Sequence, residues 1–508
     1  MKNVVLSLVL TIVLTPNLPT AAAAEEDDTR PNIILLMGDD HGWEETGYYD
    51  HPHVKTPVLD EMAATGLRLD RFYAAHPSCS PTRGSVLTGR HPNRYGTLFP
   101  GYSLRPEERT IGHLLGKVGY LRGHFGKWRV GTVKAGSPTN PAALGFDEWV
   151  SHDNFFELNP PLSRNGGPPR IHQGESSAVV IDETMRFIEK AKAENKPFLA
   201  VVWFGSPHEP YSGLPDDLAL YDDLPKKYTD REPVRLTSNE TGLRVSRPLG
   251  EVLRERYAEI TAMDRAIGTL RNFLEREGLR DNTLVWYCGD NGTPPSGVLA
   301  SPLRGRKGQM YEGGARVPGL IEWPARITKP RSNETNAVTS DMLPTLCKLA
   351  GVALPDDRPL DGIDLSPLLD GNLQDHPVPI FFSSFGNRQR FKGDAKPWID
   401  PKLQQGTTPL VKLMGGIPTR NFRNYHHPNI VEADYRGARV MLENRYKLVV
   451  HDTKDGAPAV ELFDLSADPA EQTNLTEREP AIVKSMKEKL RDWQLSVLIS
   501  LTGEDYGE

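Results

Sequence analysis

Cys79 begins a short run whose residue types could perform covalent chemistry. Residues 79–83 read Cys-Ser-Pro-Thr-Arg, so a cysteine is followed four positions later by the guanidinium of Arg83. A side-chain nucleophile can divide one difficult displacement into two easier steps. The alternative is a cysteine that only fills a small apolar space in the core, as free cysteines commonly do. The spacing makes Cys79 the first candidate catalytic residue.

Acidic and amide side chains follow two apolar runs that are typical of buried strands. Asp39 and Asp40 come directly after the first of these runs, and Asp290 and Asn291 come after a later one. Hard oxygen ligands of this kind are what Ca²⁺ prefers, so these four residues could enclose one ion. The alternatives are an Asx turn at the first position and an ordinary tight turn at the second.

Several segments of the chain resemble the sulfatases of the alkaline-phosphatase-like superfamily. Cys-x-Pro-x-Arg is the pattern at which those enzymes have a cysteine oxidised to formylglycine. Other segments match the family patterns Gly-Tyr…Gly-Lys-Trp-His-Leu-Gly, Pro-His-x-Pro and Lys-x₄-Glu-Gly-Gly-x-Arg-Val-Pro. The matching segments are residues 119–131, 203–210 and 303–318, with weaker matches at 340–346 and 462–475.

The resemblance implies that a formylglycine-generating enzyme converts Cys79 before the chain folds. A hydrated aldehyde carries two hydroxyl groups on one carbon. One hydroxyl would attack the sulfur of a sulfate ester, and the other would then expel sulfate and restore the aldehyde. Arg83 would anchor this nucleophile and offset nearby negative charge.

The resemblance also implies roles for two lysines and a histidine. Lys127 and Lys307 would bind sulfate oxygens as point charges. His208 would protonate the departing alkoxide, because the ordinary pKa of histidine lies near neutrality. The alternatives are a solvated lysine in a basic turn and a structural histidine. The four oxygen ligands named above correspond to the divalent-cation site of the family.

The chain departs from the family pattern at Arg129, which stands where the family has a histidine. In the family that histidine contacts the formylglycine hydroxyl and helps to move its proton. An arginine cannot act as a base in a protein, but it can donate hydrogen bonds to a sulfate. We therefore predict that Arg129 binds substrate, the alternative being an exposed surface arginine.

The elements that must position these side chains alternate between strands and helices. Apolar runs at 33–37, 198–204 and 283–288 are typical of buried strands, and residues 176–195 and 249–278 have helical spacing. This order predicts an α/β domain, and the resemblance implies a large, mostly parallel mixed sheet flanked by helices. Polar residues at the carboxyl ends of such strands form the sites of these sheets.

The pattern changes after about residue 370. A hairpin over 438–450, a strand at 460–465 and a final amphipathic helix predict a smaller α+β unit with an antiparallel sheet. We expect a signal peptide at 1–24, a sulfatase catalytic domain at 25–372 and a C-terminal α+β subdomain at 373–508.

Composition excludes several other classes of protein. The 508 residues are 38% hydrophobic and 25% charged, which is ordinary for a globular chain of two domains. A net charge of −7 without a basic run argues against a nucleic-acid partner. Lys2, the apolar stretch at 4–14 and the alanines at 21–24 are typical of a secretory signal. We expect an exported, periplasmic or secreted protein without stable membrane insertion after cleavage, because the stretch is too short to span a bilayer.

These observations predict a Ca²⁺-dependent formylglycine sulfatase that acts on a sulfated carbohydrate. The chain looks similar to glycosaminoglycan-type sulfatases, including those that act on sulfated N-acetylgalactosamine. Two alternatives remain, a phosphate or phosphonate ester hydrolase on the same scaffold and a non-catalytic binder of sulfated glycans. Three cysteines are too few for a disulfide framework, and whether Cys288 and Cys347 pair is open.

Overall fold

The computed structural model describes residues 30–238, 241, 243–297, 301–384, 396–409, 421–435, 437–453 and 456–506. The predicted signal peptide lies outside these residues. The strands are β1 (Asn32–Gly38), β2 (Leu67–Leu69), β3 (Phe72–Tyr73), β4 (Leu121–Lys127), β5 (Glu148–His152), β6 (Pro161–Arg164), β7 (Arg170–Ile171), β8 (Phe198–Trp203), β9 (Val234–Thr237), β10 (Arg244–Arg247), β11 (Thr283–Gly289), β12 (Gly319–Glu322), β13 (Arg331–Asn333), β14 (Ala337–Val338), β15 (Ile380–Ser383), β16 (Arg439–Glu443), β17 (Tyr446–His451) and β18 (Ala459–Asp464). The helices are α1 (Pro57–Thr65), α2 (Cys79–Thr88), α3 (Ile111–Gly116), α4 (Ser176–Ala193), α5 (Pro215–Ala219), α6 (Lys226–Thr229), α7 (Leu249–Arg276), α8 (Glu312–Ala315), α9 (Met342–Leu349), α10 (Ser366–Leu369) and α11 (Pro480–Thr502).

A ten-stranded sheet forms the centre of the molecule, in the order β13-β2-β12-β11-β1-β8-β4-β5-β6-β7. The five strands from β11 to β5 run parallel, and antiparallel strands adjoin them on both sides. Met37 of β1 lies opposite Cys288 of β11 and Trp203 of β8. The carboxyl ends of these strands therefore share one edge, and the predicted mostly parallel mixed sheet is confirmed.

Both faces of the sheet are covered by helices, which explains why its central strands are apolar without a break. In β1, Ile33, Leu35 and Met37 join a core formed with α2, α3, α9 and α10. Ile34 and Leu36 face the opposite core, which α1, α4 and α7 cover. The predicted helices at 176–195 and 249–278 correspond to α4 and α7.

A smaller unit follows, built on the antiparallel sheet β15-β16-β17-β18. One face of this sheet packs on α11 through Met486, Leu490 and Val497. Its other face packs against the large unit. The predicted α+β unit with a terminal helix is confirmed, while the boundary at 372/373 stays a prediction.

Two further points bear on the expectations from sequence. Cys288 on β11 and Cys347 in α9 are both buried, and neither forms a disulfide bond. Among the helices that the structure describes, none has both the length and the apolar character needed to cross a bilayer.

Candidate active site

Polar residues gather at the carboxyl edge of the central sheet. Asp39 follows β1, Asp290 follows β11, and Lys127 ends β4. Gly126 has φ +96°, and a Cβ there would lie 2.0 Å from the carbonyl oxygen of Trp203 on the neighbouring strand. A glycine before the lysine therefore lets β4 close against β8 and deliver the lysine to this edge.

Three carboxylates meet at this edge. Asp39, Asp40 and Asp290 are buried, and each offers an oxygen within 4.8 Å of the others. Asn291 donates to Asp40 Oδ1 at 2.9 Å, while its own buried Oδ1 has no hydrogen-bond partner in the described structure. Burial and the charge of Asp39 raise the pKa of Asp290 to about 6. An all-oxygen set of crowded carboxylates with an unused amide oxygen fits a hard cation such as Ca²⁺.

Arg83 and Lys127 neutralise part of this acidic cluster. The Arg83 guanidinium donates two hydrogen bonds to Asp290 Oδ2, at 3.1 and 2.8 Å, and a third to the Lys127 carbonyl at 3.1 Å. Lys127 Nζ pairs with Asp39 Oδ2. Burial lowers the pKa of Lys127, and the carboxylate of Asp39 limits that shift. Both cations lie beside the predicted metal ligands, and their catalytic roles stay predictions.

Lys307 approaches the cluster from the long loop before α8. Its backbone N–H donates to the Thr293 carbonyl at 3.0 Å, and its ammonium pairs with Asp40 Oδ1. Burial lowers the pKa of Lys307, but the negative charges around it, that of Asp40 foremost, together outweigh this effect and raise that pKa above its ordinary value. The alternative of a freely solvated lysine is wrong.

Cys79 is the first residue of α2, and the sequence did not predict this helix. Its sulfur lies within 4.8 Å of a carboxylate oxygen of Asp39 and a ring nitrogen of His208. The residue is 2% exposed. The positive end of the α2 dipole favours negative charge on whatever group stands at this position. Cys79 is therefore buried among ionisable groups, which is unlike the environment of a cysteine that only fills an apolar core.

His208 lies beside Cys79 and Asp39. Its Nδ1–H donates to the Glu209 carbonyl, which leaves Nε2 facing Asp40 Oδ2 at 3.7 Å. Its ring stacks on Phe155 with 4.7 Å between centroids. Burial holds the pKa of His208 well below its ordinary value. Nε2 must therefore gain a proton before it can act as an acid, and a bound anion would favour that protonation.

Arg129 is buried rather than exposed, so the alternative of a surface arginine is wrong. The residue is 3% exposed and has φ +62°, an uncommon conformation for a side chain of this size. Its Nε and Nη1 have no hydrogen-bond partner among the residues that the structure describes. Among the described residues, no hydrogen bond or ion pair joins Arg129 to the other predicted site residues. Its role in binding substrate stays a prediction.

Arg256 is a positioning residue that sequence reasoning missed. Its guanidinium donates to the Asp40 carbonyl at 2.7 Å, to the Pro207 carbonyl at 2.6 Å and to both oxygens of Glu45. It is fully buried on α7. It thus ties the turn after β1 to the loop that carries His208. A charged residue on the buried stripe of an amphipathic helix was the signal that could have found it.

Comparison with known proteins shows which family the chain belongs to. The family model described as Sulfatase matches residues 31–352. The chain belongs to the sulfatase family. This sulfatase is 31% identical to the N-acetylgalactosamine-6-sulfatase of Canis lupus familiaris over 388 residues, 68% of each chain. It is 32% identical to human arylsulfatase A over 392 residues, 69% of this chain and 70% of that one.

A solved structure supports the fold along nearly the whole chain. The crystal structure of Ps i-CgsB in complex with k-i-k-neocarrahexaose superposes with a TM-score of 0.71 and 21% identity, covering 92% of this sulfatase and 93% of that chain. The fold is the alkaline-phosphatase-like fold of the sulfatases. The protein is a sulfuric ester hydrolase, and this outcome favours the first of the three functions considered from the sequence.

Proposed function

We propose that the protein releases sulfate from a sulfated carbohydrate through a formylglycine formed from Cys79. The observation that carries the proposal is the place of Cys79. It stands at a helix N-terminus, within 4.8 Å of Asp39 and His208. Once formed and hydrated, formylglycine supplies the nucleophilic hydroxyl. Maturation therefore requires a formylglycine-generating enzyme.

The charges of the site suit an anionic ester. Three carboxylates face three cationic side chains, so the charges of these groups nearly cancel. A Ca²⁺ ion held by the four oxygen ligands would add positive charge against the reacting oxygens. The groups in this balance are Asp39, Asp40, Asp290, Arg83, Lys127 and Lys307.

The remaining roles follow from geometry and charge. Lys127 and Lys307 each form an ion pair with a carboxylate of the cluster. When those carboxylates bind the ion, the two ammonium groups can instead contact the sulfate oxygens. His208 Nε2 faces the same space and delivers a proton to the departing alkoxide once a bound anion has raised its pKa. Arg129 binds the sulfate or a neighbouring anion of the substrate.

A carbohydrate is the proposed substrate class because the relatives point to sugars. One relative is named for N-acetylgalactosamine, and the solved neighbour holds a neocarrahexaose. We further propose that the protein is exported after loss of residues 1–24. Sulfated polysaccharides are too large to enter a cell readily, so an exported enzyme would meet them directly.

Mass spectrometry tests the proposed nucleophile. In protein made with a formylglycine-generating enzyme, the tryptic peptide 72–83 should be about 18 Da lighter than its thiol form, whereas ordinary cysteine oxidation adds mass. Peptide 332–348, which carries the buried Cys347, should keep its thiol mass and serves as the internal control. An unmodified peptide 72–83 in fully active protein would overturn the proposal.

Kinetics test the reaction on the same preparation. Sulfate release from 4-nitrophenyl sulfate should exceed phosphate release from 4-nitrophenyl phosphate. Cys79→Ala and Lys307→Ala should each nearly abolish it, and Cys347→Ala should not. Unchanged turnover in Lys307→Ala would show that the pocket assignment is wrong, and a preference for phosphate would favour the ester hydrolase alternative.

A further inference from the structure

A half-open cleft of about 620 Å³ lies beside the helix that carries the nucleophile. One wall comes from the loop after α2, and the other comes from two described segments of the C-terminal unit. We call it the Arg423 cleft. The lining residues that matter here are Gly101, Ile399, Gln404, Asn421, Arg423 and Tyr425.

Hydrogen bonds connect this cleft to the reaction centre. The Gly101 N–H donates to Ser80 Oγ at 3.1 Å, and Ser80 is the residue after Cys79. The Arg423 N–H donates to the Gly101 carbonyl at 3.2 Å, and the Ser103 N–H donates to the Arg423 carbonyl at 2.9 Å. The floor of the cleft is thus joined to the first turn of α2. A ligand group in the cleft would contact the loop that is hydrogen-bonded to the residue after Cys79.

The cleft offers a polar group that the protein itself leaves unused. Gln404 is 1% exposed, and its amide nitrogen donates to Ser103 Oγ at 3.0 Å. Its Oε1 has no hydrogen-bond partner in the described structure. A buried acceptor without a partner costs free energy unless a ligand or water satisfies it. The hydroxyl of a sugar is a donor of the right kind, and the ring of Tyr425 offers a face for the C–H groups of the same sugar.

The cleft also carries the positive charge of Arg423. The guanidinium of Arg423 lies 5.0 Å from the centroid of the Tyr102 ring, and the residue is exposed. Within the described residues, no carboxylate forms an ion pair with it. A planar guanidinium donates two parallel hydrogen bonds to a carboxylate or a sulfate. The chemistry of the cleft therefore favours a ligand that combines hydroxyl groups, a ring and an anion.

We propose that the Arg423 cleft binds an anionic sugar unit adjacent to the unit that carries the sulfate ester under attack. Arg423 contacts the anion, Gln404 accepts a hydroxyl hydrogen bond, and Tyr425 packs on the ring. This inference rests on the proposed function, because it assumes a saccharide at the reaction centre. It makes the enzyme selective for chains whose neighbouring unit is a uronate or a second sulfated sugar.

Paired substrates test the inference. The set comprises a 6-sulfated hexosamine monosaccharide, disaccharides that join it to a uronate or to a sulfated hexose, and the uronate disaccharide after carboxyl reduction. In the wild type, at least one of the anionic disaccharides should have a KM about tenfold below that of the reduced disaccharide, as expected for charged hydrogen bonds. A preference for only one of them identifies the anion as carboxylate or sulfate.

Arg423→Gln should remove this selectivity. The ratio of kcat/KM for the anionic disaccharide to that for 4-nitrophenyl sulfate should fall about tenfold. Arg276→Gln is the matched control, because Arg276 is also exposed and lies 5.4 Å from an aromatic centroid, that of Phe273, on the distant helix α7. The control should keep the ratio of the wild type.

The two proposals fail in different ways. Absence of sulfate release from 4-nitrophenyl sulfate by fully converted protein would contradict the proposed function alone. Calorimetry with the same disaccharides would then still report whether Arg423→Gln weakens binding. Equal KM values for anionic and reduced disaccharides, or an unchanged ratio in Arg423→Gln, would overturn the cleft proposal.

Discussion

Arg129 combines an uncommon backbone conformation with an unsatisfied side chain. Its φ of +62° costs free energy, and so do its two buried nitrogens, Nε and Nη1, which have no hydrogen-bond partner among the described residues. Features of this kind cluster at functional sites, where a ligand supplies the missing partner. The residue stands two positions after Lys127, at the position where the family pattern has a histidine. We infer that Arg129 keeps an anion-binding function there and lacks the proton-transfer function.

Replacing Arg129 by histidine tests this division of roles. Arg129→His should keep kcat or raise it by up to about tenfold, because an imidazole can accept the proton that a guanidinium cannot. KM should rise as the guanidinium donors are lost. Steady-state kinetics with a sulfated sugar separate the two effects, and Arg129→Gln, which has neither charge nor basicity, should show only the rise in KM. A loss of kcat beyond about tenfold in Arg129→His would contradict the argument.

Single residues were predictable where a local pattern carried them. Cys79, Lys127 and Lys307 each lie in a short motif, so their neighbours in sequence identify them. Arg256 could not be found in this way, because its partners Asp40 and Glu45 are more than 200 positions away. The same holds for Gln404, whose unused oxygen is visible only once its surroundings are folded.

The elements that hold Lys307 come from both units of the molecule. Its loop ends at α8, whose first residue, Glu312, accepts hydrogen bonds from Lys447 Nζ of β17 at 2.8 Å and from Tyr73 at 3.0 Å. The Lys447 ammonium also pairs with Glu471 at 2.9 Å. Glu312 lies in the motif at 303–318, but periodicity could predict only β17 itself and not that this strand would reach Glu312.

Removing the shared cation should destabilise the fold. Lys447→Met leaves the buried Glu471 without its ammonium partner and leaves Glu312 to the more distant Arg316, at 3.7 Å. We therefore expect a loss of about 3 kcal/mol in the free energy of unfolding. Chemical denaturation measures it. The control is Lys489→Met, because Lys489 pairs with Glu443 on the exposed surface and should cost less than about 1 kcal/mol. Equal losses in the two variants would show that the buried cluster is not a stabilising connection.

At the scale of the whole molecule, one carboxylate is among the groups that anchor α11 to the large unit. Asp361 accepts hydrogen bonds from Arg94 Nε at 2.7 Å, from the His91 N–H at 2.6 Å and from Trp493 Nε1 of α11 at 2.9 Å. The patterns of strands and helices predicted both units and the final helix from sequence. They could not predict this junction, because it joins three separate segments: the loop of Asp361, residues 91–94 and α11.

The junction should make stability depend on acid pH. Burial opposes ionisation of Asp361, but the charge and hydrogen bonds of Arg94 outweigh it and hold the pKa of Asp361 well below its ordinary value. A carboxyl whose pKa is lower in the folded state stabilises the fold above its unfolded pKa of about 4 and loses that contribution as the pH falls. At pH 7, Asp361→Asn should therefore cost about 3 kcal/mol.

The difference in unfolding free energy between Asp361→Asn and the wild type should shrink as the pH falls through about 4. We expect it to decrease by roughly 1 kcal/mol between pH 5 and pH 3. Denaturant unfolding at each pH measures the difference. Asp222→Asn is the control, because Asp222 pairs with Arg254 at an exposed position and should change stability by less than about 1 kcal/mol at every pH. A difference for Asp361→Asn that stays constant from pH 7 to pH 3 would mean that its carboxylate charge does not hold α11 in place, and that the shape of the junction alone does so.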